Sequence, residues 1–244
     1  MTDAAGPVHE LALADALGWE AKCLTSIAAG SCSATAMLWS CEPALVAPSK
    51  MARLPGFARA CARAADAGWP VHLRATGGDL VPQGPGIVNL SLVWSASYET
   101  APSIEDAYHR LTAPIRAALL SMGLRSSLAS VPGAFCDGRF NVTVAGRKFA
   151  GTAQRWRPAG GIYAVHAHAL MLMRAPDTAG IRALNRFYRD CGIERYISPH
   201  TLAGLCDLVT GHRHEDTQSR FLEALVRHLQ ITGVDVVCRT AIKA

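Results

Sequence analysis

The stretch from Phe140 to Met173 constrains this chain more than any other. Phe140-Asn141-Val142-Thr143-Val144 alternates apolar and polar residues, Ala145-Gly146 makes a turn, and Lys148 opens a return strand, which together predict a β-hairpin. Residues 161–173 follow as a long, nearly continuous apolar strand. Upstream, Val71-His72-Leu73-Arg74 alternates as a strand should, and the segment from Ile87 to Trp94 reads as a buried strand. A chain with these strands builds a sheet, and its helices are arranged around one.

Pro55 at a helix start, with Ala60, Cys61, Ala64 and Ala65 at helical spacing, predicts a short helix ending near Gly68. Ser103 with Asp106 three residues on is a loose capping box. Tyr108, Leu111, Ile115, Leu119 and Met122 then give an apolar helical face up to Gly123, with Pro114 expected to kink or divide the helix. Further helices are expected near 177–190, 201–209 and 216–231, and a closing strand at Val234-Asp235-Val236-Val237. Strands punctuated by helices without strict βαβ alternation point to an α+β fold. No repeat or low-complexity linker divides the 244 residues, so one domain over 1–244 is expected, with residues 1–7 loose.

Charge narrows the class. Lys plus Arg exceeds Asp plus Glu by 24 to 19, and no stretch concentrates the basic residues as a nucleic-acid footprint would. A mildly acidic protein partner fits equally well. Residues 23–40 lack charges, but they are rich in Ser, Thr and Gly and too weakly apolar to span a membrane. Asp3, His9 and Glu10 lie where a signal peptide would be basic and then apolar. The eight cysteines, at 23, 32, 41, 61, 136, 191, 206 and 238, form no C-x-x-C pair, so reduced thiols in a cytoplasmic protein are expected.

Three segments carry residues that could do chemistry. Arg74-Ala75-Thr76-Gly77-Gly78-Asp79 joins two strands, and its paired glycines either make a tight turn or let the backbone approach a ligand. They match no nucleotide-binding fingerprint. Pro132-Gly133-Ala134-Phe135-Cys136-Asp137-Gly138-Arg139 frames a cysteine with turn-forming residues. Most cysteines are small buried hydrophobes, whereas a loop cysteine near basic groups can act as a thiolate nucleophile. Gly146-Arg147-Lys148-Phe149-Ala150-Gly151-Thr152-Ala153-Gln154 is a return strand with an interior glycine, where a lysine either points to solvent or polarises an acyl carbonyl. Lysine is scarce here: only Lys22, Lys50, Lys148 and Lys243 stand among many arginines.

In this order and spacing the three segments resemble the catalytic domain shared by lipoate-protein ligases, octanoyltransferases and biotin-protein ligases, from about residue 35 to about 210. The glycine loop is similar to that superfamily's R-x-[ST]-G-G-G-x-V, and Gly86, Asn89 and Ser91 match its G-x-x-N-x-S. The resemblance implies the fold of that domain, a mixed, mostly antiparallel sheet flanked by helices. It places Lys148 as the catalytic lysine, which fixes and polarises the acyl carbonyl. The Ala-Phe-Cys-Asp-Gly-Arg-Phe stretch looks most like the cysteine-dependent octanoyltransferases and amidotransferases, which implies that Cys136 is the nucleophile. Arg74, Thr76, Gly77, Gly78, Asp79 and Asn89 would line the acyl tunnel and its mouth, with Gly151, Thr152, Ala153 and Gln154 opposite and Asp137 and Gly138 beside the nucleophile. The third loop glycine of the family is Asp79 here, and the histidine common a few residues later is Gln83.

His168 falls where ligases and some octanoyltransferases carry a histidine before a glycine, here Ala169. His166 and His168 share one face of their strand. With no third ligand legible in the sequence, packing or substrate contact is expected rather than a metal.

The first function to test is thus an acyltransferase that moves an octanoyl or lipoyl group through a Cys136 thioester to a lysine of an E2 lipoyl domain or a glycine cleavage H protein, needing no cofactor. The second is a lipoate ligase working through an acyl-adenylate, which would require ATP and Mg²⁺. The third is a non-catalytic acyl-binding protein or ligase partner.

Overall fold

A computed structural model describes residues 7–100, 102–176, 178–209 and 213–237. Residues 1–6, most of the segment expected to be loose, and Cys238 lie outside the described residues.

The chain runs β1 (Val8–Glu10), α1 (Leu13–Ala28), β2 (Ala34–Ser40), β3 (Ala44–Pro48), a 3₁₀ turn, α2 (Phe57–Asp66), β4 (Val71–Arg74), β5 (Val81–Gln83) and β6 (Ile87–Ser97). It continues through α3 (Ile104–Ser121), β7 (Ser126–Leu128), β8 (Val142–Val144), β9 (Arg147–Ala159), β10 (Ile162–Leu172) and α4 (Thr178–Asp190). A second 3₁₀ turn, α5 (Leu205–Leu208), α6 (His214–Ile231) and β11 (Asp235–Val236) complete it. The main sheet has the order β1-β2-β6-β10-β9-β8-β7, with β11 sharing the outer edge of β2. It is antiparallel except where β1 and β11 pair with β2. A small second sheet, β4-β3-β5, lies beside it.

Both faces of the main sheet are covered, which explains why β6 and β10 read as continuous apolar runs. On one face, Leu90, Leu92, Trp94, Val165 and Ala167 pack with Leu111 and Ile115 of α3 and with Phe221 and Leu225 of α6. On the other, Met37, Trp39 and Leu170 meet Leu13 and Ala16 of α1, the small sheet, and Leu184 and Phe187 of α4. Each fully buried Leu, Ile or Phe in these layers contributes roughly 1.5–3 kcal/mol.

α1 is not among the helices expected from the sequence, although Leu13, Ala16, Leu24 and Ile27 form one buried stripe. Glu20 sits in the middle of that stripe, also buried. The capping box of α3 is present, with Ser103 Oγ accepting from Asp106 N and Asp106 Oδ2 accepting from Ser103 N. Pro114 does not divide this helix, which runs from Ile104 to Ser121 as one element. Proline removes one intrahelical hydrogen bond, but Leu111, Ile115, Ala118 and Leu119 around it are wholly buried, and that packing holds the axis together.

The helix expected over 201–209 is reduced to α5. Leu202 bridges to Lys148 and Ala203 N donates to Lys148 O at 2.9 Å, so the backbone there extends the sheet edge instead of coiling. At Gly204 a Cβ would lie 2.3 Å from Ala175 N, a close approach that only glycine permits.

Candidate active site

Cys136 lies in a compact loop between β7 and β8. Asp137 Oδ1 accepts from Val131 N at 2.6 Å and from Asn141 Nδ2 at 3.2 Å, and Ala134 N donates to Val131 O at 2.9 Å. Ser198 N donates to Gly133 O, tying the loop to the segment after α4. This bracing holds Cys136 at φ 44°, in the left-handed region. For a non-glycine residue such backbone costs of the order of 1–3 kcal/mol, and it persists where the surroundings over-determine it, commonly at active sites. Its Sγ accepts a hydrogen bond from Asp79 N at 3.2 Å.

That bond brings the glycine loop against the thiol. The Arg74 guanidinium is buried and donates to Gly77 O and to Asp79 O, at 3.0 and 2.8 Å from Nη2, which curls the loop around itself. Gly78 has φ +95°, and a Cβ there would stand 2.7 Å from Cys136 Sγ and 2.9 Å from Arg74 Nη2. Of the two readings open for the paired glycines, close approach therefore applies at Gly78. Asp79, in place of the third family glycine, accepts from Leu80 N through Oδ1 and pairs through Oδ2 with Arg195, which also reaches Ala134 O. One arginine thus joins the glycine loop to the cysteine loop.

Lys148 arrives by way of a bulge. Thr143 faces Lys148 and Val142 faces Ala150, which leaves Phe149 as an extra residue in β9. Phe149 and Ala150 both enter the core under α3 and α6. Lys148 and Gly151, three apart, consequently share the opposite face, where a Cβ on Gly151 would lie 2.8 Å from Lys148 Nζ. The interior glycine is the space the lysine occupies. Lys148 is fully buried, its Nζ donating to Phe135 O at 2.5 Å and to Cys136 O at 3.0 Å above the Phe135 ring. Burial pulls its pKa down to about 8, with Cys136 and Asp137 opposing the shift. An ammonium has three N–H donors, so one remains for a substrate oxygen.

Cys136 stands at a narrow slot between the two sheets, part of it open to solvent. Its walls are apolar at Leu17, Trp39, Val46, Val81, Phe135 and Leu170, and polar at Arg74, Gln83, Asn89, Thr152 and His168. Gly151 and Ala153 contribute the narrow wall. Asn89 and Gln83 exchange two hydrogen bonds, 2.8 and 3.0 Å, so the residue that replaces the family histidine satisfies the asparagine. Thr152 Oγ1 donates to Phe140 O.

Some of the expected residues stand outside the slot. Gly77 and Asp79 form the loop over Cys136, and Thr76 Oγ1 is buried beside them with no partner among the described residues. Asp137 braces the cysteine loop, and Gly138 lies exposed on it with its carbonyl accepting from Asn141 N. Gln154 faces the α3 side, donating to Ile104 O and accepting from Trp156 Nε1. His168 lines the slot and places Nδ1 3.7 Å from Glu20 Oε1. Arg195 and Glu20 belong to none of the three sequence motifs. Glu20 carried a signal, being a carboxylate inside an apolar helical stripe, whereas Arg195 sits in a loop without periodicity.

A thiol, a buried ammonium under the same peptide, and a backbone N–H aimed at the sulfur can carry an acyl group as a thioester and stabilise the oxyanion of its formation. Several known proteins are similar to this chain. Over 138 residues, 53% of the chain and 46% of the relative, it is 36% identical to an octanoyl-[GcvH]:protein N-octanoyltransferase of Kyrpidia tusciae. It is 30% identical to the protein of that name from Geobacillus kaustophilus over 67% of the chain and 56% of the relative. The chain thus spans about half the length of these curated relatives. A crystal structure of lipoate-protein ligase A bound with ATP superposes with a TM-score of 0.63 at 15% identity, covering 96% of this chain and 90% of the other, which establishes the shared fold. The lipoyl protein ligase A/B catalytic domain matches residues 12–233, well beyond the 35–210 over which the motifs were legible, because α1 and α6 are part of the domain. The chain belongs to the lipoyl protein ligase A/B catalytic-domain family.

Proposed function

We propose that this chain is a protein acyltransferase that carries an octanoyl or lipoyl group as a thioester on Cys136 and passes it to a lysine of a lipoyl domain or glycine cleavage H protein. The single observation that carries the reading is the Cys136 environment: a strained nucleophile with Asp79 N–H on its sulfur and Lys148 Nζ beneath its carbonyl, at the end of an apolar slot. The names of the two transferase relatives support it.

In the first half-reaction the Cys136 sulfur attacks the carbonyl carbon of an acyl-lysine amide. The carbon–nitrogen bond breaks, and the thiol proton leaves on the departing ε-amine. In the second, the acceptor ε-amine attacks the thioester, the carbon–sulfur bond breaks and the thiol is regenerated. The Lys148 N–H left over by its two carbonyl partners meets the oxyanion in both steps. Asp79 N–H donates to the sulfur and stabilises the negative charge that develops there when the carbon–sulfur bond breaks. Leu17, Trp39, Val46 and Leu170 hold the chain of the acyl group, and burying each methylene contributes about 0.8 kcal/mol.

This route uses no nucleotide; a ligase would need ATP and Mg²⁺. The described cysteines are all free, and no described helix is long and apolar enough to cross a membrane. The test is transfer of octanoyl from an octanoylated glycine cleavage H protein to an apo lipoyl domain. Transfer without ATP is expected, whereas modification only when ATP, Mg²⁺ and free lipoate are supplied would replace the transferase with a ligase.

A further inference from the structure

On the same face of the sheet as the slot, beneath α1, Glu20, His166 and His168 converge from two elements. Glu20 Oε1 lies 3.5 Å from His166 Nε2 and 3.7 Å from His168 Nδ1, and the three ligand atoms lie within 4.8 Å of one another. Ligands at about 2.0–2.1 Å from a tetrahedral ion stand about 3.3 Å apart, so modest side-chain movement closes the set. We propose that these three residues bind a first-row divalent cation, with zinc the best match to two imidazoles and one carboxylate.

A second observation points the same way. His166 is 4% exposed, and its Nε2, which faces the carboxylate, has no hydrogen-bond partner among the described residues. At 3.5 Å it is an ion-pair neighbour of Glu20 without forming a good hydrogen bond. A buried, unpartnered nitrogen costs stability, and a cation between it and the carboxylate removes that cost. An outer layer is present as well. Ser91 Oγ donates to Glu20 Oε1 at 2.5 Å and accepts from Trp39 Nε1 at 2.9 Å, a relay that orients the ligand carboxylate as supporting hydrogen bonds do at metal centres.

Topology makes the triad. His166 and His168 alternate onto one face of β10, and the pairing of β10 with β6 sets Ser91 opposite His168. On α1, Glu20 is one turn from Leu17, which lines the slot, as does His168. A bound ion would clamp α1 to the wall of the acyl slot. This site is separate from Cys136 and Lys148 and does not depend on the transferase reading.

The experiment is a Co²⁺ titration of the chelator-stripped, thiol-reduced full chain, read by visible absorption, with Zn²⁺ competition and thermal melts alongside. Cobalt is used because its spectrum separates nitrogen and oxygen ligands from thiolates, and this chain has many cysteines. The expected result is one equivalent bound with ligand-field bands but no sulfur charge-transfer band, and a melting temperature raised by Zn²⁺. His166→Gln should weaken binding by about 100-fold or more. Glu20→Gln, which keeps an acceptor for Ser91 and so preserves the fold, should do likewise and abolish the thermal shift. Absence of saturable binding, a thiolate band, or equal affinity in a folded Glu20→Gln variant would each overturn the proposal and leave the triad a hydrogen-bonded cluster only.

Discussion

Replacing Gly151 with alanine separates the chemistry of Lys148 from its contribution to stability. The new Cβ would sit 2.8 Å from Nζ and 2.9 Å from Cε of Lys148, whereas ordinary contact begins at 3.4 Å, so the end of the lysine must retreat by about 0.6 Å. Nothing else in β9 needs to move, because Gly151 has no left-handed φ and alanine suits a strand better by roughly 0.5–1 kcal/mol. Strain of about 1–3 kcal/mol is partly offset by that gain, and the net stability change should stay within about 2 kcal/mol. The retreat breaks the register of Nζ with Phe135 O and Cys136 O, at 2.5 and 3.0 Å, and carries its third N–H away from the oxyanion. Removing one such donor costs about 10²–10³ in rate, or about 2.7–4 kcal/mol of barrier. Single-turnover octanoyl transfer together with urea unfolding reads both quantities. A folded Gly151→Ala variant that transfers within about threefold of the parent would refute the placement of Lys148 at the reacting carbonyl.

Other consequences follow from the same geometry. Gly78→Ala combines a φ of +95° with a Cβ 2.7 Å from the nucleophile, and should lose more than 100-fold in cysteine acylation, measured with a thiol-reactive octanoyl thioester. Arg195→Ala removes the tie between the two loops over Cys136; a tenfold or greater loss of transfer with circular dichroism unchanged is expected, and full activity would make the tie incidental. The folded pKa of Lys148, about 8, lies below its ordinary 10.5, so the unfolded state holds more protons in that interval and stability rises as pH increases from about 8 to 10.5, by up to about 3 kcal/mol. Transfer that needs the ammonium should fall above pH 8, and Lys148→Met should flatten the stability rise in denaturant melts.

Motifs carried the site further than periodicity carried the fold. Cys136, Lys148, Arg74 and Asn89 come together because each motif sits at a strand end or on a loop whose spacing the sequence preserves. The side on which Lys148 emerges was not legible, since a regular strand would put residues 148 and 151 on opposite faces and only the bulge at Phe149 brings them together. The Asp79 departure from the family loop has its explanation in Arg195, over a hundred residues away in an irregular segment, where no local pattern signals it. Leu202 looked helical because its apolar spacing permits a helix, but a tertiary hydrogen bond from Ala203 N to Lys148 O decided otherwise. Glu20 lies on α1, a helix outside the sequence expectations, so the third residue beside His166 and His168 comes only from the fold.

Whether an acyl group rests on the Cys136 sulfur is read by intact-protein mass spectrometry after mixing the chain with an octanoylated donor protein, without ATP. The expected result is a gain of one octanoyl group that hydroxylamine removes and that Cys136→Ser, still folded, does not acquire. An unmodified chain that nonetheless transfers octanoyl, or an adduct retained in Cys136→Ser, would contradict it.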